Sequence, residues 1–222
     1  MNKNAMLAIL KNVQSNNVTV ENFQSLSDII TDIEKEIRKE TNKKTGSANI
    51  QKAAENIIKS AKKNHKAQIL LHGSWVKDGK QYVCDKYRAL QILQPLDLEK
   101  IPEDKGEPYK CENFFVEPGF YPERFSLPTA VELKNMITAA KAAGKISEKK
   151  NIVYCCENGP VFNAQYLLDA MTATGATFFE TEKSRYNGKY VNVCMFYSEK
   201  CNAVVLPLVN PAAVAKNDCI AI

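Results

Sequence analysis

The chain has 222 residues, of which 45% are hydrophobic and 25% charged, and its formal net charge is +5. This length fits one large domain or two small ones and is sufficient to bury a core. So mild a positive charge does not by itself indicate a nucleic-acid-binding protein. No apolar run approaches the roughly 20 residues that a membrane span requires, and the N-terminus lacks the features of a signal peptide.

The seven cysteines form no C-x-x-C pair and no regular framework. This pattern predicts reduced thiols in a cytoplasmic protein rather than a disulfide scaffold. Charge is distributed unevenly: residues 35–66 contain ten Lys and Arg against three Glu, whereas residues 95–124 contain eight acidic and four basic residues. A basic segment therefore precedes an acidic one.

Residues 1–46 are predicted to form an N-terminal helical extension with a narrow apolar stripe, which ends in a polar linker. The next helix is predicted over residues 49–64, where isoleucine and alanine recur at helical spacing. Residues 67–93 are rich in strand-forming residues. The pair Asp78-Gly79 within them predicts a two-residue β-hairpin turn.

Residues 95–124 contain five of the nine prolines and predict an irregular, exposed connector. The sequence suggests one short strand in it, at residues 114–116. Thr129 and Glu132 have the spacing of a capping box, in which each side chain satisfies a free backbone donor at the start of a helix. That helix is predicted over residues 129–143.

A strand is predicted over NIVYCC and is followed by a short amphipathic helix. Asn163 is placed to cap this helix, and Gly175 to end it in the left-handed conformation. Three antiparallel strands are predicted over residues 176–209. Residues 47–210 thus form one α+β domain, and residues 211–222 a loose C-terminal tail.

Two of the predicted helices place lysines on one face, opposite the apolar stripe. The spacing is the same in both helices, which suggests a duplicated unit. The lysines are Lys52, Lys59 and Lys63 in the first helix, and Lys134, Lys141 and Lys145 in and just after the second. Flexible ammonium groups in parallel rows are suited to contacts with the phosphates of a nucleic acid, and such contacts do not depend on its base sequence. Solvated lysine faces on ordinary amphipathic helices are the competing interpretation.

Enzyme signals are weak. No metal-ligand spacing involves His65 or His72, and the chain has no P-loop, no G-x-G-x-x-G and no H-E-x-x-H motif. A polar cluster at Asp85 and a vicinal pair at Cys155 are the two candidate catalytic sites. Neither has a partner residue that sequence spacing would place beside it. We therefore expect no enzyme activity, no cofactor and no metal site.

Three segments together resemble the bacterial DNA polymerase sliding clamp (β-clamp) family. YVCDKYRAL is similar to the family's strand motif Ala-Thr-Asp-Gly-His-Arg-Leu, although Lys86-Tyr87 replaces Gly-His. VFNAQYLLDAM resembles the helix motif Phe-Asn-x-x-Tyr-Leu-Leu-Asp-x-Leu, and NAVVLPLV the closing strand Val-Met-Pro-Met-Arg-Leu, here without its Arg. The resemblance covers roughly residues 49–210. The chain is too short for the family's three domains and would hold either one elaborated domain or two trimmed ones.

The resemblance implies a DNA-clamp (processivity-fold) architecture, with helices packed on antiparallel sheets. It also implies a processivity factor that encircles double-stranded DNA, independently of sequence, with basic helices, and that docks peptide motifs of polymerases. Either several copies of the chain form a closed ring, as a homo-oligomer, or there is no ring. Carried over by residue, the peptide pocket would be formed by Lys86, Tyr87, Arg88, Val204 and Leu206.

Two alternatives remain open from the sequence. The first is a clamp-fold protein-interaction subunit without DNA binding, with the N-terminal helices as its partner surface. The second is an enzyme that uses Cys155 or the Asp85 cluster.

Overall fold

The computed structural model describes residues 46–144, 152–184, 192–208 and 219–220, together with residues 7, 8, 10, 11, 13, 27–34, 36, 37 and 40. The chain divides into two compact units, residues 1–48 and 49–222. In the first unit residues 27–34 are helical, and Lys11 forms an ion pair with Glu34 at 2.5 Å. The predicted two-helix extension as a whole stays a prediction, because much of it lies outside the described residues.

Three helices follow, and the local sequence accounts for their ends. They are α1 (Ala48–Asn64), α2 (Ala130–Ala142) and α3 (Ala164–Thr174). The predicted capping box of Thr129 and Glu132 is present at the start of α2. Asn163 caps α3 by accepting hydrogen bonds from the backbone of Gln165 and Tyr166, and Gly175 ends it at φ 71°.

Ten strands form two sheets. Their bounds are β1 Ser74–Lys77, β2 Lys80–Cys84, β3 Arg88–Ile92, β4 Glu123–Ser126, β5 Val153–Cys155, β6 Val161–Asn163, β7 Phe178–Thr181, β8 Cys194–Phe196, β9 Cys201–Val205 and β10 Cys219–Ile220. A seven-stranded antiparallel sheet has the order β1-β2-β3-β9-β8-β7-β4, and a small sheet has the order β10-β5-β6. The predicted α+β class, with helices packed on antiparallel strands, is confirmed.

The predicted hairpin turn has both central residues at positive φ, 51° for Asp78 and 73° for Gly79. This geometry matches the right-handed twist of β1 and β2 and explains the preference for Asp-Gly at this turn.

The sheet contains a structural repeat, although it differs from the one suggested by the lysine spacing. One helix and three strands (α1-β1-β2-β3) recur as α3-β7-β8-β9, and the two copies join where β3 pairs with β9. Helix α2 is followed by β5 of the small sheet and not by three strands of the large one. The equal lysine spacing in α1 and α2 therefore does not mark the repeating unit.

All three helices contribute to one core, together with one face of the large sheet, which we call the inner face. Val83, Leu90 and Ala203 are successive cross-strand partners on this face, and all belong to that core. The helices contribute, among others, Ile57 from α1 and Leu133 from α2. Helices α1 and α2 thus bury apolar side chains in the same core as α3.

The opposite, outer face carries a second apolar cluster. Tyr82, Cys84 and Ala89 from β2 and β3 belong to it, and the connector adds Cys111, Phe114 and Phe115. Residues 112–114 form a 3-10 turn, so the strand predicted at residues 114–116 is wrong. The connector's strand is instead β4, which pairs with β7.

Two further expectations differ from the structure. Cys219 and Ile220 pair in parallel with Val153 and Tyr154, so this part of the tail forms a strand. Cys155 is disulfide-bonded, which corrects the prediction that all the thiols are reduced. No helix among the described residues has the length and apolar character that a bilayer crossing requires.

Candidate interaction surfaces

The predicted lysine rows are exposed on α1 and α2. Five of the six lysines, Lys52, Lys59, Lys63, Lys134 and Lys141, are exposed, and no carboxylate within the described part of the chain forms an ion pair with any of them. Lys145 lies outside the described residues. By contrast, Lys62 on α1 forms an ion pair with Glu99 of the connector. The five lysines therefore present uncompensated positive charge.

The two segments of the predicted peptide pocket meet within one chain, at the β3–β9 junction. Arg88 lies opposite Val205 in the register, and the backbone N–H of Leu206 donates to the carbonyl of Tyr87 at 2.8 Å. Three residues after the end of β9, the N–H of Leu208 donates to the carbonyl of Val161 at 2.7 Å. This hydrogen bond connects the segment after β9 to β6.

A tight turn before β3 sets the directions of Lys86, Tyr87 and Arg88. Asp85 accepts hydrogen bonds through Oδ1 from the backbone N–H groups of Tyr87, at 3.2 Å, and Arg88, at 3.1 Å. Lys86 has φ 74°, a left-handed conformation that a lysine adopts only when its surroundings impose it. As a result, Lys86 and Tyr87 project from the surface as exposed side chains.

Arg88 points the opposite way and is only 5% exposed. Its Nε donates to Oδ2 of Asp85 at 3.0 Å, and its Nη1 donates to Oδ2 of Asp169 on α3. The other oxygen of Asp169 accepts from Asn56 of α1 at 3.1 Å and from Gln165 at 3.2 Å. Arg88 is thus a buried structural group and does not line a surface pocket, contrary to the expectation carried over from the family.

Val204 also differs from that expectation, because it is only 2% exposed. It is the cross-strand partner of Ala89 and therefore lies on the outer face of the sheet. Of the five predicted pocket residues, Lys86 and Tyr87 are exposed, Leu206 is partly exposed, and Arg88 and Val204 are buried.

Tyr87 belongs to an aromatic surface that the sequence did not reveal. Its ring, 48% exposed, stacks on that of Tyr166 with 6.1 Å between centroids and lies 5.8 Å from His65. The guanidinium carbon of Arg88 lies 4.3 Å from the centre of the Tyr166 ring. The pKa of Tyr166 is raised, mainly by burial. Tyr166 lies three residues after Asn163, the N-cap of α3, so the sequence motif predicts its place in the helix. The motif does not predict that its ring stacks on Tyr87, which lies in the turn before β3.

Two cavities adjoin the connector. The larger, of about 640 Å³, brings Lys86 together with the connector and the turn before β1. Its walls are formed by residues 67–71, Lys86, Lys105, Glu107, Pro108, Tyr109 and Lys110. The second, of about 560 Å³, lies beside Trp75 and Val76 of β1. Both volumes are in the range of small-ligand sites.

The catalytic alternatives gain no geometric support. Asp85 is buried and engaged by three donors from its own turn. Cys155, the candidate nucleophile, is disulfide-bonded, and burial raises the pKa of the neighbouring Cys156 thiol to about 12, which disfavours its nucleophilic thiolate. No group of three or more metal-binding side chains occurs in the ranges that the structure covers.

No protein-family model matches this chain. The comparison with curated proteins likewise gives no match.

Among solved structures, the chain is similar to bacterial sliding clamps. A DNA polymerase sliding clamp from Pseudomonas aeruginosa is 12% identical with a TM-score of 0.43, over 64% of this chain and 58% of the clamp. A Helicobacter pylori beta clamp bound to a DNA ligase peptide is 12% identical with a TM-score of 0.43, over 72% of this chain and 62% of the clamp. The same clamp in complex with 3,4-difluorobenzamide is 10% identical with a TM-score of 0.44, over 72% and 64%.

This chain therefore spans less than two thirds of the length of these clamps. At such identities the similarity concerns the fold alone, and what the clamps bind does not transfer with it.

Proposed function

We propose that this chain is a clamp-like protein without enzyme activity. It associates with double-stranded DNA through the lysine rows of α1 and α2, and it docks partner peptides at the aromatic surface around Tyr87. Several copies would be required to surround a duplex. The proposal rests on the described geometry and on the three sequence motifs.

One observation supports DNA association above the others. The lysine-bearing helices α1 and α2 both bury apolar side chains in the same core, and their lysines are exposed. Exposed ammonium groups without an ion-pair partner among the described residues are suited to phosphate contacts, because binding a polyanion releases its condensed counterions. Such contacts position a protein on DNA without reading its sequence.

Charge reversal tests this part of the proposal. In one variant Lys52, Lys59, Lys134 and Lys141 are replaced by Glu. In a matched control Lys80, Lys100, Lys105 and Lys110, which lie on β2 and the connector, are replaced by Glu, so that the net charge changes equally. We expect the helix variant to lose binding to a random-sequence duplex in a fluorescence anisotropy titration, and the control to retain most of it. Equal losses in both variants, or no loss in the helix variant, would contradict the proposal.

Partner docking is supported by the β3–β9 junction. Tyr87 offers a half-exposed ring supported from below by Tyr166, and Leu206 is held beside it by a backbone hydrogen bond. A rigid aromatic group with an adjacent aliphatic one is a common anchor for a partner's apolar side chains. Lys86, which is exposed next to Tyr87, would favour a peptide that also carries a carboxylate.

A peptide-binding measurement tests the docking surface. Fluorescein-labelled peptides that carry Leu and Phe side chains are titrated with the native protein, with Tyr87→Ala and with the control Phe120→Ala, which changes an exposed ring in the connector. We expect Tyr87→Ala to weaken binding about tenfold and the control to have little effect. Retained peptide binding without any DNA binding would instead favour the interaction-subunit alternative.

A further inference from the structure

The connector crosses the outer face of the large sheet from one side to the other. The segment Tyr109–Gly119, called the cover segment below, contributes Cys111, Phe114 and Phe115 to the outer-face cluster. At its far end, the backbone N–H of Gly119 donates to Oε2 of Glu180 on β7 at 2.7 Å. The segment therefore spans the sheet from the β1–β2 side to β7.

The cover segment fills the apolar surface beside Tyr87. Cys111 is fully buried, and the ring of Phe115 lies 6.0 Å from that of Tyr82. Beneath the segment, Cys84 and Ala89 are only 2% exposed, and they are cross-strand partners immediately next to the turn that carries Lys86 and Tyr87. Tyr109 and Lys86 also line the same cavity. The covered surface is thus continuous with the proposed docking surface.

Besides the Gly119–Glu180 hydrogen bond and a hydrogen bond between the thiols of Cys111 and Cys84, two further polar contacts between described residues hold the cover segment in place. Lys77 of β1 forms an ion pair with Glu112 at 2.5 Å, and the Tyr197 hydroxyl donates to the carbonyl of Glu117 at 3.3 Å. Within the part of the chain that is described, no backbone-to-backbone hydrogen bond joins residues 102–122 to the sheet. Segments with so few backbone links open at a lower free energy than the core strands.

Glu112 carries a feature that destabilises the position of the cover segment on the sheet. The hydrogen bond from Lys77 lowers the pKa of its carboxyl. Its other oxygen, Oε2, is buried and has no hydrogen-bond partner among the described residues. A buried acceptor without a donor reduces the stability of the arrangement that buries it.

We propose that the cover segment is a tethered occupant of the apolar surface over Tyr82, Cys84 and Ala89, which extends the docking surface beyond Tyr87, and that partner peptides bind there by displacing it. This inference rests on the proposed peptide-docking function. The segment itself indicates the chemistry of the partner: an acidic residue followed, two positions later, by a pair of aromatic residues, as in Glu112-Asn113-Phe114-Phe115. The acid pairs with Lys77, and the two rings occupy the apolar surface over Tyr82, Cys84 and Ala89.

Native cysteines report on the opening of the segment. Cys111 lies on the cover segment and Cys84 beneath it, and both are free and buried. Cys194 and Cys201 are free thiols in the main core. We expect them to become accessible to the reagent only when the sheet unfolds. The full chain is labelled with a maleimide at neutral pH, and the rate at each cysteine is measured by peptide mapping and mass spectrometry.

We expect Cys84 and Cys111 to react at least about tenfold faster than Cys194 and Cys201. Glu112→Gln should accelerate the first pair only, with Asp104→Asn as the control, because this exposed carboxylate pairs with Lys105 outside the cover segment. A thermal melt of each variant verifies that it is folded. Equal rates at all four cysteines, or no acceleration in Glu112→Gln, would show that the segment opens only with global unfolding and would overturn the inference.

A peptide added in trans tests the displacement itself. The probe is the synthetic peptide Pro-Tyr-Lys-Ser-Glu-Asn-Phe-Phe-Val-Glu, which copies residues 108–117 with serine at the cysteine position. Binding should expose Cys111 and keep Cys84 covered, so only the labelling of Cys111 should rise. Faster labelling of both cysteines, or of neither, would overturn the tethered-occupant model. The labelling rates without peptide test whether the cover segment opens, and they do not depend on docking at Tyr87. The Tyr87→Ala titration tests docking, so the two hypotheses can fail separately.

Discussion

The guanidinium of Arg88 and the carboxylate of Asp169 form a buried ion pair that joins β3 to α3. Both side chains are less than a tenth exposed. Arg88 belongs to the first copy of the helix-and-strand repeat, and Asp169 to the second. This pair therefore connects the two copies on the inner side of the β3–β9 junction, directly below the surface that carries Tyr87.

Removal of one partner of this pair should be costly. In Asp169→Ala the arginine keeps Asp85 but loses its contact to α3, and we expect a loss of about 3 kcal/mol in the free energy of unfolding, since the buried Nη1 of Arg88 and the amide of Asn56 lose their acceptor. Urea denaturation followed by circular dichroism measures this loss. Gln165→Ala, which removes only an exposed donor to the same carboxylate, should cost under about 1 kcal/mol. Similar values for the two variants would show that the pair contributes little.

Gly73 should not tolerate a side chain. A Cβ at this position would lie 2.7 Å from the backbone N of Ile101 and from the backbone carbon of Lys100, neither of which can move aside as a flexible side chain does. We expect Gly73→Ala to destabilise the protein by about 1–3 kcal/mol, through the displacement of the connector from β1. Gly79→Ala serves as a comparison, because it meets open space and is strained only by its φ of 73°. A thermal melt in which Gly73→Ala matches the native protein would contradict this reading.

Buried thiols should make the fold sensitive to alkali. Burial raises the pKa of Cys201 from 9.0 to about 12, and it raises the pKa of Cys194 as well. Above pH 9 the unfolded chain loses the proton and the folded chain keeps it, so this stabilisation is complete below pH 9 and decreases as the pH rises toward 12. Each such thiol should lower the free energy of unfolding by about 1.4 kcal/mol per pH unit in that window.

Urea midpoints between pH 8 and 10.5 measure this effect. Cys201→Ala removes one titrating thiol and should flatten the decline, even though it lowers the stability at neutral pH by leaving a small cavity. An unchanged slope in that variant would mean that other groups control alkaline unfolding.

DNA association, if it uses the lysine rows, should depend on salt in proportion to the number of phosphates contacted. Each neutralising change, such as Lys59→Gln or Lys134→Gln, should reduce the slope of log K against log salt by about 0.9. Lys80→Gln, on β2, should leave the slope unchanged. Titrations at several salt concentrations with two unrelated duplex sequences would also reveal any sequence preference, and none is expected.

Local chemistry made much of the secondary structure predictable. A capping box, an Asn cap and a closing Gly each satisfy backbone groups at a helix end, and Asp78-Gly79 adopts the positive φ values that a tight hairpin requires. The short strand β6 was missed, because its three residues are too few to show a strand period. The strand expected at residues 114–116 was wrong for a related reason: aromatic residues there pack as an apolar cover, which has the composition of a strand but not its pairing.

The candidate sites were predictable only in part. Exposed lysines follow from helical spacing, since the face opposite an apolar stripe must meet water. The family motif drew attention to residues 86–88 but could not assign their directions. Asp85 reverses the chain over three residues, and this turn places Tyr87 at the surface and Arg88 in the interior.

The sequence by itself determined where helices begin and end, where the first hairpin turns and which helical faces carry positive charge, because each of these depends on residues a few positions apart. Only the tertiary structure decided that β3 pairs with β9, that Tyr87 stacks on Tyr166, and that an acidic connector lies across the outer face of the sheet. Those contacts join residues that are far apart in the chain, and they depend on the burial of apolar surface, which becomes specific only when the whole sheet is assembled.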